Sequence, residues 1–372
     1  MHITDLQKMD GCGCFPTPLH RLDNLSRELG CQVLIKRDDL TGLGFSGNKI
    51  RKLQYLVQEA KAQGCTALLT FGGVQTNHGR QTAAVADKYG MRSIIIATVD
   101  EHGAPEKLSG NLLLDAILGS DVRFLDTSCL NGRGLSNDEI KAETVKLRRA
   151  AADRVIAEYA ARGEKVYEMP AGGSTPLGAM GYFFAVQEIQ KQLDAMGASV
   201  DYLICPCGSN GTYAGLWLGA KYFHAPFRVI GSCVSPHGPV YKEKMAAYIN
   251  ETSAQYELGI TAKPEELELL LTECAGTAYD EPDPQTFAAI EHLARSEGIF
   301  VDPCYTGKGF AAVLKLTQSG AIPKGSTVLF LHTGGLPGLY SAQHLAVFSK
   351  ELWEGRKHPV IRPELTEDGC YV

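Results

Sequence analysis

The chain has no long apolar run, no excess of positive charge, no Cys-x-x-Cys and no repeated or low-complexity segment. Each absence removes a class of protein. Without an apolar stretch of about 20 residues there is no candidate membrane span. A formal net charge of −6 over 372 residues argues against a nucleic-acid or anionic-membrane partner, which would call for a basic surface. Met1 to Asp10 carries neither an apolar run nor an Arg-rich amphipathic pattern. No secretory or transit signal is read there, and a cytoplasmic setting is expected. The 11 cysteines are odd in number and scattered, which fits reduced thiols better than a disulfide framework. The close pairs Cys12/Cys14 and Cys205/Cys207 lack the spacing and the histidines of a tetrahedral site, so no metal is expected.

What remains is an ordinary globular composition, 44% apolar and 21% charged, in a chain long enough for two domains. Short apolar runs at 33–36, 66–71, 93–99, 122–125, 166–169, 202–205, 228–234 and 328–331 read as strands. Helical periodicity falls between them, at 50–60, 80–89, 112–118, 138–162, 179–192 and 212–223. Alternation of this kind predicts parallel α/β sheets, with ligands beyond the strand C-termini, where the polar glycine loops lie. The stretches 127–140 and 353–372 read as irregular.

The chain is organised around Phe45-Ser46-Gly47-Asn48-Lys49-Ile50-Arg51-Lys52-Leu53. Apolar residues recur at Ile50, Leu53, Leu56, Val57 and Ala60, a one-faced helix. Asn48 reads as the N-cap, which puts Lys49 at the first helical position. The positive end of the helix dipole disfavours an ammonium there and biases the amine toward its neutral, nucleophilic form. A solvated surface lysine is the ordinary alternative.

Three other stretches bear on that choice. Gly208 to Gly215 (Gly-Ser-Asn-Gly-Thr-Tyr-Ala-Gly) follows a strand and opens a helix, where backbone N–H groups make a phosphate site. Its glycine spacing does not fit a dinucleotide fingerprint, and no acidic residue ends the next strand, at Cys233-Val234-Ser235. Gln75-Thr76-Asn77-His78, at another helix start, suits a carboxylate, although each residue alone reads as a cap or a structural histidine. Tyr305, in Asp-Pro-Cys-Tyr-Thr-Gly-Lys-Gly, and Tyr279, in Gly-Thr-Ala-Tyr-Asp-Glu-Pro, read singly as core and turn residues.

Together, Ser-Gly-Asn-Lys-x-Arg-Lys-Leu, Gln-Thr-Asn-His-Gly-Arg-Gln-Thr-Ala-Ala-Val-Ala, Gly-Ser-Asn-Gly-Thr-Tyr-Ala-Gly, Asp-Pro-Cys-Tyr-Thr-Gly-Lys-Gly and His-Thr-Gly-Gly-Leu-Pro-Gly resemble one family. It is that of the D-cysteine desulfhydrases and 1-aminocyclopropane-1-carboxylate (ACC) deaminases. The resemblance runs in order from Pro16 to about Tyr340. It implies pyridoxal 5'-phosphate (PLP) as cofactor and the two-domain fold type II of the tryptophan-synthase β-subunit, with mostly parallel twisted sheets flanked by helices. A large domain of residues 1–53 plus 166–372 would carry a small α/β domain, 54–165, as an insertion. A homodimer acting on a small amino acid is implied as well.

Residue by residue, Lys49 matches the lysine that forms the Schiff base and Lys52 a phosphate contact. Thr76, Asn77 and His78 match the segment holding the substrate carboxylate and the cofactor ring oxygen, and Gly208, Ser209, Asn210, Gly211 and Thr212 match the phosphate loop. Tyr305 matches the tyrosine against the ring and Tyr279 a second active-site tyrosine. Ser46 stands where the family usually has glycine, Thr76 where it has serine, and 127–150 matches poorly.

ACC deaminases carry glutamate after the Tyr305 position and leucine after the His332 position, whereas this chain has Thr306 and Thr333, as in the desulfhydrases. Thr306 is accordingly expected beside the substrate and Thr333 beside the cofactor. A threonine cannot keep the pyridine nitrogen protonated as a carboxylate does, so the ring is a weaker electron sink. Eliminating a thiolate tolerates that better than opening a cyclopropane. The expected reaction is α,β-elimination on D-cysteine, giving pyruvate, hydrogen sulfide and ammonia. L-cysteate sulfo-lyase, ACC deaminase, a serine racemase or dehydratase, a PLP-binding protein without turnover and a nucleotide-dependent oxidoreductase are the alternatives.

Overall fold

The computed structural model describes residues 2–45, 47–99, 103–134 and 137–355. Two open sheets carry the chain. The larger is built from β1 (Leu19–Arg21), β2 (Gln32–Arg37), β7 (Tyr202–Cys207), β8 (Arg228–Cys233), β9 (Glu268–Leu270) and β10 (Thr327–His332), in the order β1-β2-β10-β7-β8-β9. Only β1 runs antiparallel to its neighbour. The smaller sheet is fully parallel and holds β3 (Ala67–Gly73), β4 (Arg92–Val99), β5 (Asp121–Asp126) and β6 (Val166–Glu168), in the order β5-β4-β3-β6. Its last strand therefore lies just past the 54–165 segment expected for a small domain.

The helices are α1 (Asp23–Leu29), α2 (Lys49–Ala62), α3 (Asn77–Lys88), α4 (Gly110–Ile117), α5 (Asn137–Ala160), α6 (Pro176–Met196), α7 (Gly211–Tyr222), α8 (Val240–Gln255), α9 (Pro284–Glu297), α10 (Thr306–Gln318) and α11 (Ala342–Phe348). The sequence pattern did not reveal β1, β9 or the helices α8, α9 and α11, and placed α6 three residues late; a helix after Tyr305 was expected, and α10 begins at Thr306. Thr175 caps α6 by accepting from Gly178 N, ahead of a proline at the first helical position, a start signal that the apolar periodicity alone does not register. The region 127–140 is less irregular than expected, with a short turn of helix at Ser128–Leu130 and α5 from Asn137. Residues 356–372 of the expected irregular tail lie outside the described residues.

Each sheet is covered on both faces. Leu203, Leu329 and Leu331 meet Val186 and Ile189 of α6 and Leu218 of α7 on one face of the large sheet. Val33, Ile204 and Phe330 meet Leu25, Leu293 and Phe310 of α1, α9 and α10 on the other. Each such side chain, wholly withdrawn from water, contributes roughly 2 kcal/mol by apolar burial. On the small sheet, Ala152, Val155 and Tyr159 of α5 cover Leu69, Phe71, Ile94 and Ile96, while Leu56 and Val57 of α2 and Val85 of α3 cover Leu68 on the opposite face.

α2 spans both units, packing against α6 on one side and α3 on the other. Arg51 fixes it to the large sheet. The guanidinium donates to both oxygens of Asp38, at 2.7 and 2.8 Å, and to Glu188, at 2.8 and 3.0 Å. Lys36 Nζ and the Tyr182 hydroxyl complete this buried cluster. Removing one partner from such a network costs about 3–5 kcal/mol, because an uncompensated charge stays behind.

Candidate active site

The residues singled out in sequence converge at the C-terminal ends of β3, β7 and β10. α2 begins at Lys49 as expected, but the expected Asn48 cap is not formed. Asn48 is itself helical (φ −60, ψ −21) and makes no cap bond; its Nδ2 donates to Thr212 Oγ1 at 3.1 Å. The Lys49 N–H is instead accepted by Gln81 Oε1 of α3, at 3.1 Å. A tertiary partner has displaced the local one. Gly47 (φ +146) makes this approach possible, since a Cβ there would sit 2.6 Å from Gln81 Nε2. Asn48 N donates to Thr333 O at 3.0 Å, which ties the turn to the end of β10.

Lys49 is buried, and that burial lowers its pKa from 10.5 to about 8, with Cys207 opposing the shift. Desolvation of the amine is the dominant cause found here. Lys52, one turn on and fully buried, is driven well below the usual range by burial and then by Lys49. Its Nζ donates to Gly172 O at 3.1 Å. Among the described residues neither amine has a carboxylate partner. A Cβ on Gly211 would meet Lys52 Nζ at 2.9 Å and the Tyr248 hydroxyl at 3.2 Å, so a lysine and a phenol reach the start of α7. That helix start, two lysine amines and a glycine loop form a site for an anion.

Thr76 is the N-cap of α3, its hydroxyl accepting from Gly79 N at 3.2 Å. The ordinary reading of this residue therefore holds, while the helix start keeps first-turn N–H groups that lack intrahelical partners. The orientation of Asn77 follows from a chain of obligatory roles. Arg80 only donates, so Asn111 presents Oδ1 to Arg80 Nε, at 2.6 Å, and its Nδ2 then donates to Asn77 Oδ1 at 3.0 Å. Asn77 is left with Nδ2 for the cavity. His78 is buried, both ring nitrogens lack a protein partner among the described residues, and burial followed by Lys49 and Lys52 pushes its pKa well down. It is a neutral imidazole.

Tyr279 and Tyr305 are hydrogen-bonded hydroxyl to hydroxyl, with rings edge to face and centroids 5.6 Å apart. Burial raises the pKa of each well above 10, so both are phenols at neutral pH. Thr306 departs from expectation. Its hydroxyl donates to Asp302 Oδ1 at 2.6 Å, and Asp302 also accepts from the N–H groups of Cys304, Tyr305 and Thr306. The side chain expected beside the substrate is consumed in holding the start of α10, and it lines neither cavity at the site. Thr333 does line one. His332 is structural: Gly334 N–H donates to Nδ1 at 3.2 Å, so Nε2 carries the proton and donates to Phe300 O at 2.8 Å.

Two cavities meet at Lys49. The inner one is lined by Lys49, Asn77, Gly208, Ser209, Asn210, Thr212, Tyr305 and Thr333. The outer cleft adds Thr76, His78, Tyr279 and Arg148. The chain's own residues fit PLP. Ser209 Oγ and both His78 nitrogens are buried without partners, and two lysine amines face a glycine-opened helix start. Gln81, Arg80 and Asn111 were not found by sequence reasoning, nor were Asp302, Tyr248 and Arg148. Arg80 and Gln81 could have been, since they follow Asn77 by three and four positions, on the same helix face. Asn111 and Arg148 come from remote elements and carry no local signal.

A buried lysine of depressed pKa beside a helix-start anion site and a paired set of phenols, on this two-sheet scaffold, defines an enzyme that binds a phosphorylated carbonyl cofactor through lysine. The family model described as "Pyridoxal-phosphate dependent enzyme" matches residues 13–334, and the chain belongs to that family. It is 34% identical over 329 residues to a 1-aminocyclopropane-1-carboxylate deaminase of Mesorhizobium japonicum, covering 87% of this chain and 93% of the relative. A crystal structure of an ACC deaminase homologue superposes with a TM-score of 0.78 at 32% identity, covering 92% of this chain and 97% of that one. A hydrogen sulfide-producing enzyme from Fusobacterium nucleatum, at 19% identity and a TM-score of 0.57 over 87% of this chain and 96% of that one, shares the fold. The protein is thus a fold type II, PLP-dependent enzyme resembling ACC deaminases. Among the described residues no helix is long and apolar enough to cross a membrane, and no cluster could hold a metal.

Proposed function

We propose that this enzyme catalyses α,β-elimination on a small amino acid with sulfur on Cβ, most simply D-cysteine, releasing pyruvate, hydrogen sulfide and ammonia. The observation that carries this reading is that, among the described residues, no carboxylate lines the inner cavity, and the residue lining it just past the end of β10 is Thr333. When bound, PLP supplies covalent attachment for the amine and an electron-withdrawing ring, weak in this setting because no acid is at hand to keep its nitrogen protonated. A thiolate leaving group suits a weak sink.

The residues divide the remaining work. Gly208 to Thr212 and Lys52 hold the phosphate, and Asn77 Nδ2 offers a hydrogen bond to the ring oxygen. The start of α3 holds the substrate carboxylate. Lys49 Nζ, whose neutral fraction is enlarged by burial, takes the proton from Cα. The Tyr279–Tyr305 pair, protonated at neutral pH, gives a proton to the departing sulfur. One water completes the balance, converting the three-carbon remnant to pyruvate and ammonia.

The relatives' name supports a second reading, ring opening of ACC. Sulfide and keto-acid release from D-cysteine, L-cysteine, L-cysteate and ACC distinguishes the two. Sulfide with pyruvate from D-cysteine supports elimination. 2-Oxobutanoate from ACC, without sulfide from either cysteine, would replace the first reading with the second.

A further inference from the structure

The outer cleft contains a cation that neither the cofactor roles nor the elimination chemistry uses. Arg148 projects from α5 into the space that also borders Lys49, His78 and Tyr279. Its Nε and Nη2 both donate to Thr98 Oγ1, at 3.1 and 2.8 Å. Thr98 lies at the end of β4, so the guanidinium is held at the C-terminal edge of the small sheet. Two of its five N–H groups are thereby spent and the others remain. No carboxylate pairs with it among the described residues, whereas its neighbour Arg149 is tied to both Asp153 and Glu168. Among the described residues no acidic side chain lines the cleft. A half-buried guanidinium without a counter-charge, anchored by a neutral hydroxyl and facing a substrate-sized space, is a receptor for an anion.

The substrate's α-carboxylate already has its place at the start of α3, and the cofactor phosphate has Lys52 and the start of α7. We propose that Arg148 is a specificity residue that receives an anionic group on the substrate's Cβ, a sulfonate or a carboxylate. This rests on the amino-acid elimination reading and extends it. The cleft accepts β-anionic amino acids and takes β-sulfonates to products as well as thiols. In that reaction the Cβ–S bond breaks with its electron pair on sulfur, so sulfite leaves. Lys49 takes the Cα proton, and water converts the remnant to pyruvate and ammonia, with no outside oxidant or reductant.

The test uses the holoenzyme and follows the cofactor absorbance during titration with D- and L-alanine, D- and L-aspartate and D- and L-cysteate, with sulfite measured for cysteate. In the wild type at least one enantiomer of aspartate and of cysteate should bind more tightly than alanine. Arg148→Met should weaken those two by about 10- to 100-fold and leave alanine within about twofold, the size expected for one charge-assisted contact. Arg148→Lys should recover part of the loss. Thr98→Val, which keeps the charge but frees it, should give an intermediate loss. Unchanged aspartate and cysteate binding in Arg148→Met, with alanine binding intact, would overturn the role of Arg148 alone. Failure of every amino acid to perturb the wild-type cofactor would overturn the elimination reading together with it.

Discussion

Gln81 Oε1 accepts the backbone N–H of Lys49 at 3.1 Å, while Gln81 Nε2 donates to Asn77 O at 3.1 Å. One amide therefore ties Lys49, at the start of α2, to the first turn of α3. Gln81→Leu removes both bonds with little change in volume. Each buried bond lost costs about 1 kcal/mol or more when a partner is left unsatisfied. Turnover should fall about tenfold or more, with a smaller effect on cofactor content. Steady-state kinetics beside the bound-cofactor absorbance check this; unchanged kcat would show that the link does not position Lys49.

Lys49 should be reactive well below the usual pH of a lysine. Burial places its pKa at about 8 rather than 10.5. The neutral amine predominates above the pKa, so the rate at which apoenzyme captures PLP should rise with pH and reach half its maximum near pH 8. A midpoint at pH 10 or above would contradict the desolvated setting. Lys49→Ala should abolish both the lysine-bound cofactor absorbance and turnover.

Gly211 should accept no side chain without loss of cofactor. A Cβ there would press on Lys52 Nζ at 2.9 Å and on the Tyr248 hydroxyl at 3.2 Å, where the anion site lies. Gly211→Ala should raise the PLP dissociation constant by about 10- to 100-fold, on the order of 1.4–2.7 kcal/mol. Fluorescence titration of apoenzyme with PLP measures it.

Thr306 separates a structural role from a substrate-binding one. Its hydroxyl is bonded to Asp302, so Thr306→Val should lower stability by about 1–2 kcal/mol while leaving the ranking of substrates unchanged. Thr333→Val should instead alter the cofactor absorbance with little effect on stability. Denaturant unfolding and substrate profiles of both variants test the assignment; a changed substrate ranking in Thr306→Val would refute it.

Acid sensitivity should centre on Asp38. Although burial opposes it, Arg51 brings the carboxyl from 3.8 down to about 2. A depressed carboxyl contributes stability above its unfolded pKa and loses it as pH falls toward the folded one. The contribution, about 2 kcal/mol, should thus be whole above pH 4 and disappear between about pH 4 and pH 2. The stability difference between wild type and Asp38→Asn, followed by denaturant unfolding across that range, should shrink over the same window.

The sequence by itself determined the order of the strand-loop-helix units, Lys49 as the first residue of its helix and the glycine loop at Gly208–Thr212, and its resemblance to a known family implied the cofactor. The first three rest on local periodicity, on glycine positions and on loops whose residue types are readable without contacts. It did not determine where side-chain hydrogen bonds are spent. Thr306 and Thr333 look equivalent on the page, yet Asp302 consumes one and the cavity faces the other. Asn48 reads as a cap, yet Gln81, from another helix, takes the Lys49 N–H. The direction in which Asn77 points is set by Asn111, 34 residues away. The depressed pKa of Lys49 comes from burial, which only packing creates. Arg148 became visible as a site residue only once α5 was laid against β4. Local pattern specifies elements, but partners remote in sequence compete for the same donors and acceptors, and only the packed structure decides which of them win.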